Sequence, residues 1–593
     1  MVAGNRSHAV VTLSLLAFVL NACDGTHGHD PTEPDGSPAS AGSGTSGESG
    51  ASAGSSPQSI GGTGGQSSPA GGGDDAGAAA APTAALPEVA EDDRTAVTDD
   101  RILNREATVP PQCYTKTEGR YNPCHTCHQI YDRGAEDRLN RLDDGTLQGA
   151  YNFSDVGVEN HWTNLFVDRR DWLDAIDDAT ILAYIAQDNY GPLQERLSSS
   201  GWTGFIPDLE HYQLGAEAFD DDGLALDGSY WVAFNYKPFP GTFWPTNGST
   251  DDVVLRLPAA FREIDGQYRK DAYFVNLTLV ELNIKQLESA PIWPINESAL
   301  GVDIDANGKL TTATSVVRSS HFIGDASAVA LAFMQFPEGT EFMHSVRYVG
   351  VNGERIVVPK RMKELRYMRK VAVLDRYVID GQYAKERKEK LSGALPSFVY
   401  RGDQGLDNAL GWYVKGFVED YDGELRPQSR EEDMFCMGCH TNIGTTIDST
   451  FAFARKVTGQ AGWGYIDLEG MRDAPTVSEP GGEILNYLKR AGGGSEFREN
   501  PEMMNRWFND DGTVNEDAVA SADVYTLITP SVRRALDLDK AYTHIVRHQS
   551  FVFGRDSTWI PLDNVYPKVD QSVAPLEAQY QYFGWDLRLD WGE

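Results

Sequence analysis

Val346-Arg347-Tyr348-Val349-Gly350-Val351-Asn352-Gly353-Glu354-Arg355-Ile356-Val357-Val358 decides the fold class of this chain. An Asn-Gly pair between two runs of β-branched and aromatic residues is a strong hairpin signal, because Asn and Gly tolerate the positive φ of a tight primed turn. Working outward, residues 230–236, 252–257 and 273–284 show the same β-branched and aromatic enrichment and read as strands. The flanks change character. Asp177-Asp178 before residues 179–187 reads as a helix start, with Gly191-Pro192 as its stop, and 517–527 and 532–548 read as helices before a strand-like tail at 585–591. In the basic island 360–370, Met362, Leu365 and Met368, with Ala372, fall at helical spacing. That spacing predicts a helix with one buried stripe and a cationic outer face, solvated by default, with neutralising the carboxylates of a bound cofactor or docking a partner as the alternatives. The expected class is α+β: helical and loop-rich segments at both ends flank a β-rich middle domain, and a disordered tether precedes them. No internal repeat is visible beyond two short cysteine motifs.

Those motifs are Cys124-His125-Thr126-Cys127-His128 and Cys436-Met437-Gly438-Cys439-His440, each a complete CxxCH. The pattern reads as a covalent c-type haem attachment site. Two thiols separated by two residues can each bond one vinyl group of a single haem, and the adjacent histidine then faces the iron as proximal ligand. At this chain's low Cys and His usage, one accidental match is roughly a one in a thousand event. A zinc site would need four ligands in close array, which the motifs could supply only by meeting in the fold. A thioredoxin-like CxxC would need a βαβ pattern that neither motif has around it. The expected cofactors are therefore two covalently bound haem c groups held by Cys124, Cys127, His128, Cys436, Cys439 and His440.

The second axial ligand decides between electron transfer and catalysis, because a filled sixth position gives a carrier and an open one admits small molecules. For the C-terminal haem, Gly470-Met471-Arg472-Asp473-Ala474-Pro475 resembles a compressed Met-and-Pro loop of small class I cytochromes c, so Met471 is the expected ligand. His544 and His548, on one face of a predicted helix, compete with it. For the N-terminal haem the candidates are His161, nearest in sequence, then His211, His321 and His344.

The N-terminus points outward from the cell. Arg6 precedes an apolar run at 9–20, of the length of an export-signal core and short for a bilayer span. The run ends in Leu20-Asn21-Ala22-Cys23, which resembles a bacterial lipobox and implies a signal peptide at 1–22 with lipid on Cys23. Residues 23–97 are mostly Gly, Ala, Ser and Pro, too poor in apolar surface to fold. As a coil of roughly seventy residues this tether would span about 45 Å. His27 and His29 within it read as solvated. Of six cysteines one would carry lipid and four would hold haem, which leaves Cys113. Burial statistics favour a small hydrophobe for it, with an iron ligand or an intermolecular bridge as alternatives.

About five hundred residues after the tether suffice for two or three domains, expected at 98–215 (N-terminal haem), 216–395 (β-rich) and 396–593 (C-terminal haem). The formal charge of −36 argues against nucleic acid as a partner and favours steering of a basic redox protein. Asp303-Ile304-Asp305-Ala306-Asn307-Gly308 imitates half of an EF-hand loop, but Thr314 at its twelfth position cannot supply the closing carboxylate. A hairpin turn at Asn307-Gly308 explains it better.

Over the two CxxCH motifs and the signal region, the chain resembles a bacterial dihaem c-type cytochrome lipoprotein. The resemblance implies a lipid-anchored protein of the bacterial cell envelope, periplasmic or on the outer surface, that passes electrons between redox partners. Two other readings stay open: a dihaem oxidoreductase acting on peroxide or a small molecule, and a binding or sensory module whose haems report a ligand. Dihaem cytochrome c peroxidases resemble paired small cytochrome domains with motifs set much closer than here.

Overall fold

The computed structural model describes residues 85–592 apart from 99–100, 130–141, 143, 242, 393, 496 and 499. The signal segment, Cys23, His27, His29 and the tether as far as residue 84 lie outside the described residues. An antiparallel sheet of eight strands forms the centre, so the fold is α+β. Its order along one path is Val232–Ala233, Thr250–Arg256, Glu341–Arg347, Met362–Lys370, Trp412–Glu419, Leu406–Asp407 and Val399–Tyr400, with Leu425–Pro427 paired to Trp412–Glu419. The expected boundary at 395/396 falls inside this sheet, and residues from Ala79 onward cluster as one compact unit.

The predicted hairpin forms, with Gly350–Asn352 paired to Arg355–Val357 and Gly353 at φ 62°. Arg347 stays in the main sheet, so the hairpin is a separate ribbon beyond it. The basic island is a central strand and not a helix. Met362–Lys370 pairs on one side with Glu341–Arg347 and on the other with Trp412–Glu419. A bulge between Met362 and Glu364 returns Met362 to the face of Leu365, which mimics the three-residue step of a helix. Arg361, Lys363, Glu364 and Lys370 are buried and Arg369 is exposed; Arg366, partly buried, pairs with Glu364 at 3.0 Å, and Glu364 also pairs with Arg555 at 2.7 Å.

The opposite correction applies to residues 273–284. They belong to the helix Lys270–Lys285, and every residue from 272 to 285 is buried. An apolar run wrapped on all sides has no amphipathic period, and its length of 16 residues was the better guide. Asn276 donates to the carbonyls of Phe261 (2.8 Å) and Ile323 (3.1 Å), and Glu281 is paired with Lys285 and Lys456 at 2.9 Å each, so the buried polar groups are satisfied.

Most helix expectations survive with shifted ends. Asp177 caps Asp178–Ile185, and Gly191-Pro192 opens the next helix, Gly191–Ser199, because proline suits the first turn. Val532–His548 is continuous, whereas 517–527 divides into Glu516–Ala520 and Val524–Ile528, the second capped by Asp523. The 585–591 tail forms no strand and makes one bridge, Leu589 to Thr476. The 303–308 segment is a loop whose Asp303 carboxylate accepts from the Asn307 and Gly308 N–H groups; it lies in the long connection of the antiparallel pair Ser289–Asn296 and Thr312–Val317, not in a tight turn between Ile304 and Leu310. The expected tether also ends early: Leu86 and Val89 are buried, and the Thr95 N–H donates to the His548 carbonyl at 2.8 Å. These two apolar side chains are what the Gly/Ser tract before them lacks.

Candidate functional site

The two CxxCH segments adopt the same backbone turn. Asn122 accepts from the His125 N–H and Pro123 opens the 3-10 turn Pro123–Thr126; the Cys127 and His128 N–H groups then donate to the Cys124 carbonyl at 3.1 and 2.9 Å. In the second segment a Ser429/Glu432 capping box starts the helix Arg430–Met434, which runs into the turn Phe435–Gly438. The Cys439 and His440 N–H groups donate to the Cys436 carbonyl at 3.2 and 2.9 Å. In each case one turn of chain brings two thiols and an imidazole to one side.

The turns also meet. The Asp144 carboxylate accepts from the Gln129 N–H (2.8 Å), from His128 Nδ1 (3.1 Å) and from the Gly444 N–H (3.0 Å), a residue 300 positions away. The Thr445 N–H donates to the Cys127 carbonyl at 3.3 Å. A cavity of about 660 Å³ opens there, lined by Cys124, Cys127 and His128 of the first turn and Cys436, Cys439 and His440 of the second. Its volume is that of a cofactor-sized site, about 300–1,000 Å³, and Tyr151, Phe239, Phe243 and Phe451 supply apolar wall.

The donor set suits haem better than its rivals. Meeting in the fold gave zinc its chance, yet among the described residues no three of these sulfur and imidazole atoms lie within 4.8 Å of one another. None of the five described cysteines is in a disulfide. Burial pushes the Cys124 thiol up to about 12 and that of Cys436 up to about 11. The histidines are pre-oriented through Nδ1: His128 donates to Asp144, and His440 donates to the Ser449 carbonyl at 2.8 Å. Each arrangement would make Nε2 the nitrogen available to a metal. Burial depresses the His440 imidazole to about 4. Burial also works against a charged His128, but the Asp144 carboxylate outweighs it and lifts that imidazole to about 10.

The remaining candidates separate clearly. Met471 does not line the cavity; it packs with Ile484, Tyr487, Trp507 and Val524, and its carbonyl accepts from the Val524 N–H at 2.8 Å. The motif's Gly and Pro are present, but the surrounding apolar residues claim the thioether for a core. His544 and His548 stack at 3.9 Å beside Trp172, outside the cavity lining. His161 precedes the turn Thr163–Phe166 and is not a lining residue, and His211 and His321 are exposed. His344 does line the cavity, on the side of the second motif rather than the first. Cys113 lines it too and contacts the His128 ring. Asp144 was not foreseen, and Arg366 stands out in sequence only as part of the basic island; tertiary contact and strand register bring them to the site.

The model of a lipoprotein family matches residues 97–529, a span that holds both motifs, the sheet, His344, Arg366 and Asp144. An uncharacterized lipoprotein of Aquifex aeolicus (strain VF5) is 30% identical over 511 residues, covering 76% of this chain and 86% of that protein. No solved structure matches the chain. Among the described residues no helix is long and apolar enough to cross a membrane. With a match of that extent, running through the whole region that builds the cavity, the chain belongs to this family of lipoproteins.

Proposed function

We propose that the protein is an exported dihaem c-type cytochrome, anchored by lipid on Cys23, that carries electrons between redox partners outside the cytoplasm. The observation that carries this reading is the pair of identically bonded CxxCH turns opening on one apolar-walled cavity. Bound haem would supply an iron that alternates between ferric and ferrous states. The chain's own residues do the rest. Cys124, Cys127, Cys436 and Cys439 would fix the groups covalently, while His128 and His440, held through Nδ1, would present Nε2 in one orientation. Asp144 and Thr445 hold the two turns in contact, and the aromatic wall limits water. The cationic Arg366 is placed to offset haem carboxylates.

Membership in a lipoprotein family supports the anchor, and the charge of −36 supports a basic partner protein. A second reading, an oxidoreductase with one ligand-accessible haem, draws on Arg366 and His344 standing together before the second motif. Intact mass after denaturation separates the haem readings from the rest: wild type carries two haem additions, and Cys124→Ala with Cys127→Ala carries one. A haem-free wild type purified from a host able to attach haem c rejects the assignment. Fractionation tests the anchor, since Cys23→Ser should move the protein from the membrane to the soluble fraction with both haems kept.

A further inference from the structure

We propose that His344 is the second axial ligand of the haem attached at Cys436 and Cys439, with Arg366 beside it as a positioning cation. The proposal rests on the dihaem reading and gives the central sheet its task, which is to form the wall facing the second attachment turn.

Strand register carries the argument. His344 pairs directly with Arg366 on one neighbouring strand and with Val253 on the other. Directly opposed residues of antiparallel strands project to the same face. Phe342 and Met368, two positions along, are likewise opposed, and all five residues line the cavity. One face of the sheet is therefore the wall. Among the described residues, the cavity's lining includes three histidines, His128, His344 and His440, and the first and last already belong to the CxxCH turns.

The His344 ring is held beside Asp251 and Phe243. Its Nε2 is buried without a hydrogen bond. Asp251 Oδ2 lies 3.3 Å away, but off the hydrogen-bond direction, and it already accepts from the Tyr236 hydroxyl at 2.7 Å. The Phe243 ring meets the imidazole edge-on, 5.8 Å between centroids, and restrains its rotation. Arg366 ties this wall to the motif: its guanidinium sits 5.1 Å from the Phe243 ring and 5.8 Å from that of Phe435, the residue before Cys436. Glu364, 3.0 Å from Arg366 Nε, fixes the guanidinium from behind.

The test uses the full-length holoprotein and the single-haem variant Cys124→Ala with Cys127→Ala, which isolates the second haem. In that variant the ferric spectrum should be low-spin, with the electron paramagnetic resonance of two imidazole ligands. Adding His344→Ala should convert it to a high-spin haem that binds cyanide readily, with the haem mass retained and free imidazole restoring the low-spin signal. His344→Met, a milder replacement, should keep a six-coordinate haem and raise its potential. Imidazole rescue and retained mass distinguish ligand loss from misfolding. A low-spin spectrum unchanged by His344→Ala overturns the proposal, as does a second haem already high-spin in the wild type, which would favour the open-site oxidoreductase. A wild type without haem overturns the dihaem reading itself, a result distinct from either.

Discussion

Behind His128 stands a carboxylate, Asp144, 3.1 Å from Nδ1; behind His440 stands the Ser449 carbonyl at 2.8 Å. In front, the first turn has the Cys113 thiol at its histidine, and the second faces His344 and Arg366 on the sheet. The two turns share their sequence pattern and backbone hydrogen bonds, so everything that differs lies in what surrounds them. An anionic partner makes an imidazole a stronger donor and favours ferric iron, whereas a neutral carbonyl does so less. On the proposed reading, CxxCH would fix where a haem attaches and leave its potential to residues far away in the chain.

The largest effect on this comparison comes from separating the sites. Cys124→Ala with Cys127→Ala and Cys436→Ala with Cys439→Ala should each yield a protein with one haem and one reductive wave. The protein keeping only the first haem should have the lower potential. Equal potentials in a spectroelectrochemical titration would break the contrast.

Asp144→Asn should act on one site. Removing the negative charge behind His128 should raise the lower potential by about 59 mV, the shift for a tenfold change in a one-electron equilibrium, and leave the upper wave in place. The same change weakens the hold on Gly444, so thermal unfolding should begin earlier. A shift of both waves together would mean that the turns are electrostatically indistinct.

The smallest effect on the haems is expected from Met471→Ala. Its side chain packs among Ile484, Tyr487 and Trp507, so truncation should cost about 2–5 kcal/mol of stability in chemical denaturation. Both haem spectra should stay as in wild type; loss of a near-infrared charge-transfer band would return Met471 to the iron.

What could be read from sequence was local chemistry. Asn352-Gly353 names its own turn, 532–548 carries its own helical period, and each CxxCH is complete in five residues. The misreadings arose where tertiary burial replaces local period. Residues 272–285 are surrounded on all sides and lose the polar face that marks a helix, and the bulge after Met362 gives a strand the spacing of a helix. The pairing within the site's other half was illegible for the same reason: His344, a candidate for the other haem, and Arg366, in the basic island, stand 22 positions apart, and strand register alone makes them neighbours.

The hydrogen bond between Asp144 and Gly444 has a consequence for how the molecule is made. Its ends lie 300 residues apart, so it is among the contacts with the greatest loop-closure cost and forms late. A chain that leaves the cytoplasm with its N-terminus first delivers residues 124–128 while most of the sheet and the whole second turn are still inside. During that interval the first pair of thiols stands open to whatever enzyme modifies it. Arrival of residues 441–446 then ties the first turn down through the Thr445 and Gly444 N–H groups. On the proposed dihaem reading, maturation would thereby acquire a direction, with the first turn open to modification before the second exists on that side of the membrane.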